Sequence, residues 1–230
     1  MIEDYVTITI PSTGRCNRLA ECIQSVDYRN SIIEIGVKSL DDVPLSWAER
    51  ISVSFTHDFP VPVQIRLAAF SRGFTHILPI SDDIVFDPGA IKNAVSALNS
   101  AFPDGDGVIG FDIKNMKETD KCPYAFMLIG RKFFNDRLGR VLFNPEYRHF
   151  FADVELGEFA ERLGRFRKCP EARITHFHPS TGAPADSTHT AGRHEKWVHD
   201  KEIYDRGKAK WQGNGSATLA ECQRTIQTPA

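Results

Sequence analysis

The amino-acid sequence predicts an α/β fold in which a mostly parallel β-sheet is flanked by helices. Over the first hundred residues, short apolar runs with strand character alternate with segments whose apolar residues recur at helical spacing. Alternation of this kind is typical of parallel strands connected by helices. At 230 residues, with 41% hydrophobic and 25% charged residues, the chain can bury a sizeable core of its own. We therefore expect one domain of this class, with or without a tail.

The first half of the chain begins with a strand and continues in strand-then-helix order. The first strand is predicted at residues 5–10, where β-branched residues alternate with others until Pro11 ends the run. A helix over residues 16–26 follows, because its apolar residues recur at helical spacing. The same criteria predict the other elements of this half, which are strands at 32–37, 51–55 and 75–80 and a helix at 63–70.

The second half continues the alternation and ends in a polar tail. Pro88 lies at the first turn of a predicted helix that extends to about residue 98. The tail after Pro179 is polar, with helical character over residues 194–210. We expect residues 1–180 to form the domain and residues 181–230 to form an extension that packs on it or acts as a lid. The elements predicted between Pro88 and the tail are strands at 108–112, 124–130 and 172–177 and a helix at 151–163.

The bulk composition argues against several classes of protein. The formal charge of −2 and the pI near 6.4 provide no general attraction to polyanions such as nucleic acids. Five scattered cysteines without a Cys-x-x-Cys pair argue against a disulfide framework and against a zinc-thiolate site. The N-terminus lacks the basic and apolar regions of a signal peptide, and no apolar run approaches the length that crosses a bilayer. These features predict a soluble, cytoplasmic protein.

Two adjacent acids, Asp82 and Asp83, follow a predicted buried strand in the run ILPISDDIVFDPGAI. Neighbouring carboxylates repel each other, so they persist where water or a cation compensates their charge. In an α/β sheet, ligands bind beyond the carboxyl ends of the strands, which is where this pair falls. A divalent cation such as Mg²⁺ or Mn²⁺ suits such hard oxygen ligands. The alternative interpretation is that the two acids cap a turn or the following helix.

Three stretches in a fixed order resemble the family 2-like nucleotide-sugar glycosyltransferases, which have the GT-A fold. VTITIPSTGRCNRLAECIQSV is similar to the opening of these enzymes, with an apolar strand, Pro-x-x-x-Arg and a helix. ILPISDDIVFDPGAI resembles their metal-binding Asp-x-Asp stretch. AFMLIGRKFFNDRLGRVLFNPEYRHFFADVELGEFAERLGR resembles their acceptor-side segment. The resemblance covers residues 5–180 and implies a GT-A type nucleotide-binding sheet with a C-terminal helical and loop tail.

The resemblance implies roles for side chains near the donor. Asp83, with help from Asp82, is expected to hold Mn²⁺ or Mg²⁺ against the donor diphosphate. His176 and His178 alternate on a predicted strand and so share one face. The family often completes the metal site from this position, and His178 is the expected third ligand. The residues expected to bind the nucleotide sugar are Pro11, Thr13, Arg15, Arg66 and Asp82.

Asp153 matches the catalytic carboxylate of the family, which takes the proton from the acceptor hydroxyl as that oxygen attacks the anomeric carbon. Glu155 is the reserve candidate for this role. An acid at this place is also favoured as a helix N-cap, so that interpretation of Asp153 stays open.

Three positions depart from the family pattern. Ser81 stands at the first place of the Asp-x-Asp motif, and Ala152 occupies a place where an acid often precedes the catalytic one. Lys38 lies near the position from which the family usually supplies an acid to the base or ribose. These departures bear chiefly on the identity of the donor.

The resemblance as a whole predicts a metal-dependent glycosyltransferase that moves a sugar from a UDP-sugar to an acceptor hydroxyl with inversion. The acceptor is expected to be a glycan or a hydroxylated macromolecule, with a hydroxymethylated base in viral DNA as an alternative. A nucleotidyltransferase is a second hypothesis, although PSTGR has one glycine where those enzymes have a glycine-rich loop. A non-catalytic binding domain of the same fold is the third.

Overall fold

The computed structural model describes residues 4–12, 14–39, 41, 43, 51–56, 59–71, 73–117, 122–185 and 192–213. These residues contain eight strands and five α-helices. The strands are β1 Val6–Pro11, β2 Ser31–Val37, β3 Ile51–Phe55, β4 His76–Pro79, β5 Ile84–Phe86, β6 Val108–Ile113, β7 Met127–Gly130 and β8 Phe166–His176. The helices are α1 Cys16–Gln24, α2 Pro60–Phe70, α3 Ala90–Ala101, α4 Ala152–Arg162 and α5 Arg193–Gly213.

All eight strands belong to one sheet in the order β3-β2-β1-β4-β7-β6-β8-β5. Strands β3, β2, β1 and β4 are parallel neighbours, and β6 and β8 are also parallel. The pairings of β7 with β4 and β6, and of β5 with β8, are antiparallel. The predicted α/β class with a mostly parallel, helix-flanked sheet is confirmed. Because β1 and β4 are parallel neighbours, the segments that follow them leave the sheet at the same edge.

The sheet separates two hydrophobic clusters, because successive strand residues point to opposite faces. Leu78 and Leu128 belong to the cluster that contains the buried residues of α1 and α3. Ile77 and Ile129, their chain neighbours, belong to the cluster that contains residues of α4 and α5. Both faces of the central strands are therefore covered, which explains why β4 and β7 read as continuous apolar runs.

Two elements depart most from the sequence-based expectation. Strand β5 has three residues and was not predicted, because it is too short to show a period. Strand β8 begins at Phe166, six residues before the predicted start at 172. Pro170 argues against a strand there, but the pairing with β6 shifts register between Cys169 and Arg173, so the proline lies in a bulge.

The tail helix α5 packs against the domain. Ile203 and Tyr204 are buried in the same cluster as residues of α4, and Asp200 is fully buried. Trp197 and Val198 remain exposed, so one part of the helix faces solvent. None of the helices that the structure describes is long and apolar enough to cross a membrane.

Candidate functional site

The two aspartates predicted to bind a metal lie in the turn between β4 and β5, at the carboxyl edge of the parallel strands. Both side chains are buried, with 0% of Asp82 and 4% of Asp83 exposed. Two buried acids in sequence need positive charge or hydrogen bonds nearby, because burial destabilises a carboxylate. The structure supplies both from residues far away in the chain.

Arg15 is the main partner of the two acids. Its Nη2 donates to Oδ1 of Asp82, and its Nη1 lies 3.1 Å from Oδ2 of Asp83. Ser12 Oγ donates to Oδ2 of Asp82 at 2.6 Å, and Ser81 Oγ donates to Oδ1 of Asp83. Arg15 and Ser12 come directly after β1, which pairs with β4, so the parallel pairing brings them to the acids. The guanidinium therefore spans the two carboxylates, and its flat fork of donors suits that arrangement.

His176 is the histidine that reaches the acids. Its Nε2 lies 3.4 Å from Oδ1 of Asp83, and the amide of Phe177 donates to the Asp83 carbonyl at 2.8 Å. The antiparallel pairing of β5 with β8 places His176 opposite Ile84 and so beside Asp83. The side chain of Asn115 holds the backbone of His176 through two hydrogen bonds, at 2.9 and 3.0 Å.

His178, the predicted third metal ligand, lies behind His176. The two imidazole rings stack with centroids 5.1 Å apart, and Nδ1 of His178 lies 2.8 Å from Ser180 Oγ. The alternation on the strand was expected to place both rings on one face, and the stacking agrees with that. The ligand role of His178 stays a prediction.

The two acids have opposite pKa shifts. Burial raises the pKa of Asp82 to about 6, although the Arg15 charge and the Ser12 hydrogen bond oppose that shift. Burial would also raise the pKa of Asp83, but the hydrogen bond and charge of His176, together with Arg15, hold it well below its usual range. At neutral pH the pair is therefore ionised, and Asp82 is the member that protonates first as the pH falls.

The donor atoms at this edge suit a divalent cation chemically, since carboxylates with an imidazole bind Mn²⁺ in many proteins. Within the part of the chain that the structure describes, however, no three His, Cys, Asp or Glu side chains are grouped so as to hold a metal ion. The carboxylate oxygens of Asp82 and Asp83 are already engaged by Arg15, Ser12, Ser81 and His176. A cation at Asp83 would compete with Arg15 for that carboxylate.

Asp153, the predicted catalytic acid, is half-buried in the first turn of α4. Burial raises its pKa to about 6, and backbone amides at the helix start oppose the shift; the Val154 amide donates to Oδ1 at 2.9 Å. The N-cap of α4 is Phe151, which makes no capping hydrogen bond through its side chain. Asp153 is therefore not the cap residue that the alternative interpretation required.

The segment Cys122–Phe126 interacts with Asp153 and with the histidine beside the paired acids. Burial raises the pKa of the half-buried Cys122 to about 11, and the charge of Asp153 adds to that shift. Four residues further on, the ring of Phe126 meets the ring of His176 with centroids 5.0 Å apart. The same segment therefore lies within electrostatic range of Asp153 and in contact with His176, the partner of Asp83.

Glu155, the reserve candidate, is buried between helices. A Cβ atom built on Gly207 of α5 would lie 2.3 Å from Oε1 of Glu155, so the glutamate is packed directly beneath that glycine. The close approach explains a glycine in the middle of α5, and it places Glu155 in the α4–α5 contact. The structure therefore favours Asp153 over Glu155 as the residue that meets a substrate.

The other residues predicted to bind the nucleotide sugar are Pro11, Thr13 and Arg66. Pro11 is the last residue of β1, while Thr13 lies outside the described residues. Arg66 is exposed on α2. The polar side chain of α2 that points inward is Gln64, whose Nε2 donates to the carbonyls of Thr9 and Ile80 at 3.0 and 2.7 Å.

Sequence reasoning missed His149, which lies in the loop before α4. The residue is exposed, but nearby chain desolvates its imidazole and lowers its pKa to about 4. The charges of Lys196 and Arg193 also lower this pKa, and those of Asp200 and Asp83 oppose them, so the loop lies within electrostatic range of the paired acids. A lone histidine in an irregular segment carries no periodic signal, so only the fold could identify it.

No family model matches this sequence, and no curated protein matches it. Solved structures that resemble the chain include two of TarS from S. aureus, a glycosyltransferase. TarS 1–349 matches with a TM-score of 0.53 and 9% identity over 71% of this chain and 57% of that one. A second TarS structure matches with a TM-score of 0.55 and 9% identity over 77% of this chain and 38% of that one. The chain thus spans only part of TarS, and the likeness shows a glycosyltransferase-like fold.

Proposed function

We propose that this chain is a glycosyltransferase that moves a sugar from a UDP-sugar to an acceptor hydroxyl with inversion. The observation that carries the proposal is the cluster of Asp82, Asp83, Arg15 and His176, buried at the carboxyl edge of the parallel strands. Ligands of α/β sheets bind at that edge. The fold similarity to TarS supports the same class of reaction.

The donor would lie against the turn after β4 and the segment after β1. Pro11, Thr13 and Arg15 would line the base pocket, Asp82 would accept hydrogen bonds from the nucleoside, and Arg66 would reach the nucleotide from α2. A diphosphate brought to this edge competes with the two carboxylates for the Arg15 guanidinium, which binds phosphate as well as it binds carboxylate. Arg15 would then release a carboxylate partner and bind the donor diphosphate instead.

Asp153 would act as the general base. Its carboxylate takes the proton of the acceptor hydroxyl while that oxygen forms a bond to the anomeric carbon, and the bond from that carbon to the diphosphate oxygen breaks. A base with a pKa near 6 is ionised at neutral pH yet still able to accept a proton. We propose the hydroxyl of a glycan or of another hydroxylated macromolecule as the acceptor.

Mn²⁺ or Mg²⁺ is the proposed cofactor, with Asp83, Asp82 and His178 as its ligands. When bound, such a cation supplies positive charge that stabilises the departing diphosphate. Arg15 and His176 already contact Asp83, so they supply part of the compensation that a cation would give that carboxylate.

The donor class is tested by UDP release with a panel of UDP-sugars in the presence of Mn²⁺. We expect slow hydrolysis with at least one donor and faster release once an acceptor glycan is added. The proposal would be contradicted if no donor gave UDP release and no donor shifted the unfolding temperature. Pyrophosphate release from a nucleoside triphosphate would instead indicate a nucleotidyltransferase.

The cofactor is tested by chelation and by a measurement that does not need turnover. We expect EDTA to lower the rate at least tenfold and Mn²⁺ to restore it. Mn²⁺ at about 100 times its dissociation constant is expected to stabilise the wild type by about 2.7 kcal/mol and to leave Asp83→Asn unchanged. A rate unaffected by EDTA would contradict the metal part of the proposal.

A further inference from the structure

We propose that Asp200 of α5 is a positioning residue that holds the loop Arg148–Phe150 and, through it, Asp153. This inference rests on the proposed function, because Asp153 matters only if it meets an acceptor. Asp200 is 0% exposed. Its Oδ1 accepts the amide of Arg148 at 3.0 Å, and its Oδ2 accepts the amides of His149 and Phe150 at 2.8 and 2.7 Å. One carboxylate thus receives three consecutive backbone N–H groups.

The loop needs such an acceptor, because its amides lie outside helix and strand. A buried N–H group without an acceptor costs about 1–3 kcal/mol, and three in sequence would favour another loop conformation. The next residue, Phe151, has a φ of 64°, in the left-handed region that side chains other than glycine rarely adopt. Local preference does not hold the chain in this shape, so contacts from elsewhere must do so.

Helix α5 is fixed firmly enough to impose that shape. Ile203 and Tyr204 are buried against residues of α4. The ring of Tyr204 stacks on Phe151 with centroids 5.2 Å apart, and the ring of Trp197 lies 5.8 Å from Phe151. These contacts attach α5 to the residue that precedes α4, while Asp200 attaches it to the three residues before that one.

The loop Arg148–Phe150 leads directly into α4, which carries the proposed base. Asp153 follows Phe150 by three residues, and the charge of Asp83 is among those that act on His149. Movement of the loop would displace Asp153 relative to the paired acids without touching the donor-side residues Arg15 and Ser12. A displacement of about 1 Å at a reacting group can cost 100-fold in rate. Loss of Asp200 should therefore affect turnover more than donor binding.

The test compares Asp200→Asn with Asp205→Asn, using the full chain. Asp205 lies on the same helix and pairs with Lys201 at the surface. For Asp200→Asn we expect kcat to fall about 100-fold with the donor KM within threefold of wild type, and backbone amides 148–150 to exchange with deuterium faster. Asp205→Asn should behave as wild type in both measurements. A loss of kcat/KM in Asp200→Asn that comes from the donor KM alone would overturn the positioning role. An unchanged kcat in a variant whose loop amides exchange faster would overturn it as well.

Hydrogen exchange also separates this inference from the proposed function. In the wild type, amides 148–150 should exchange at least tenfold more slowly than exposed turn amides, although they lie outside helix and strand. Fast exchange there would overturn the inference, even if the variant fails to fold. A wild type that shows protected amides but transfers no sugar would overturn the proposed function and leave Asp200 as a purely structural residue.

Discussion

Replacement of Asp153 by asparagine is expected to lower the rate of sugar transfer by about 10² to 10⁴ and, at the same time, to stabilise the fold. The loss of rate follows from the proposed role, because asparagine cannot accept the proton of the acceptor hydroxyl. Donor binding should change little, since the paired acids and Arg15, which are proposed to meet the donor, do not lie on α4. A general base usually contributes an effect of this size.

The gain in stability follows from the raised pKa. Burial raises the pKa of Asp153 from 3.8 to about 6 in the folded protein. The folded state therefore holds the proton more tightly than the unfolded state, and stability is lost as the pH rises from about 4 to 6. The ionised group costs about 1–3 kcal/mol above pH 6. Asparagine does not ionise, so the variant should gain that amount at pH 8 and nothing at pH 3.

The measurement is urea unfolding at several pH values, together with a pH–rate profile. The wild-type rate should rise through pH 6 as Asp153 loses its proton, and the residual rate of the variant should lack that rise. Glu161→Gln is the control, because Glu161 lies on the exposed face of the same helix and accepts a hydrogen bond from Tyr124. A variant that keeps its transfer rate would remove Asp153 from the mechanism.

Replacement of Arg15 by alanine is expected to destabilise the protein by about 3–5 kcal/mol at neutral pH. The change leaves Asp82 and Asp83 buried without the guanidinium that bridges them. Removal of one partner from a buried ion pair costs this much, because the remaining charge stays desolvated. Arg206→Ala should cost less than about 1 kcal/mol, since Arg206 pairs with Glu146 at the surface.

The pH dependence of this effect has a definite sign. The low pKa of Asp83 contributes stability that is fully present above the unfolded pKa near 3.8 and is lost as the pH falls below it, through the lower folded pKa. Arg15 supplies part of that stability, so the difference between wild type and variant should be greatest above about pH 4 and should narrow as the pH falls further. A deficit that stays constant as the pH falls from about 4 to about 2 would show that Arg15 acts through packing.

The same variant reports on the proposed cation site. With Arg15 absent, the two carboxylates offer their oxygens to another cation, so Mn²⁺ should restore part of the lost stability. Arg15→Lys should lose less than Arg15→Ala, because one ammonium supplies charge but does not span two carboxylates. If Mn²⁺ leaves the unfolding temperature of Arg15→Ala unchanged, the acids serve as partners for Arg15 and the metal part of the proposal fails.

Local signals were enough to predict most elements. Apolar period and turn residues placed β3 at its observed bounds and the start of α1 at Cys16, because such patterns act over a few residues. They failed for β5, which is too short to show a period, and for the start of β8, where Pro170 lies in a bulge made by pairing with β6. The paired aspartates were likewise visible as acids after a buried strand.

The sequence by itself determined the alternation of strands and helices, the acids after β4 and the acid at the start of α4, because these depend on neighbouring residues. Tertiary structure decided which groups meet those acids. Arg15 lies 68 positions from Asp83, and Asp200 lies 52 positions from Arg148. The contact of His176 with Asp83 depends on the pairing of β5 with β8. Contacts between distant residues follow from how the sheet brings its strands together, and a single sequence carries no local pattern that records them.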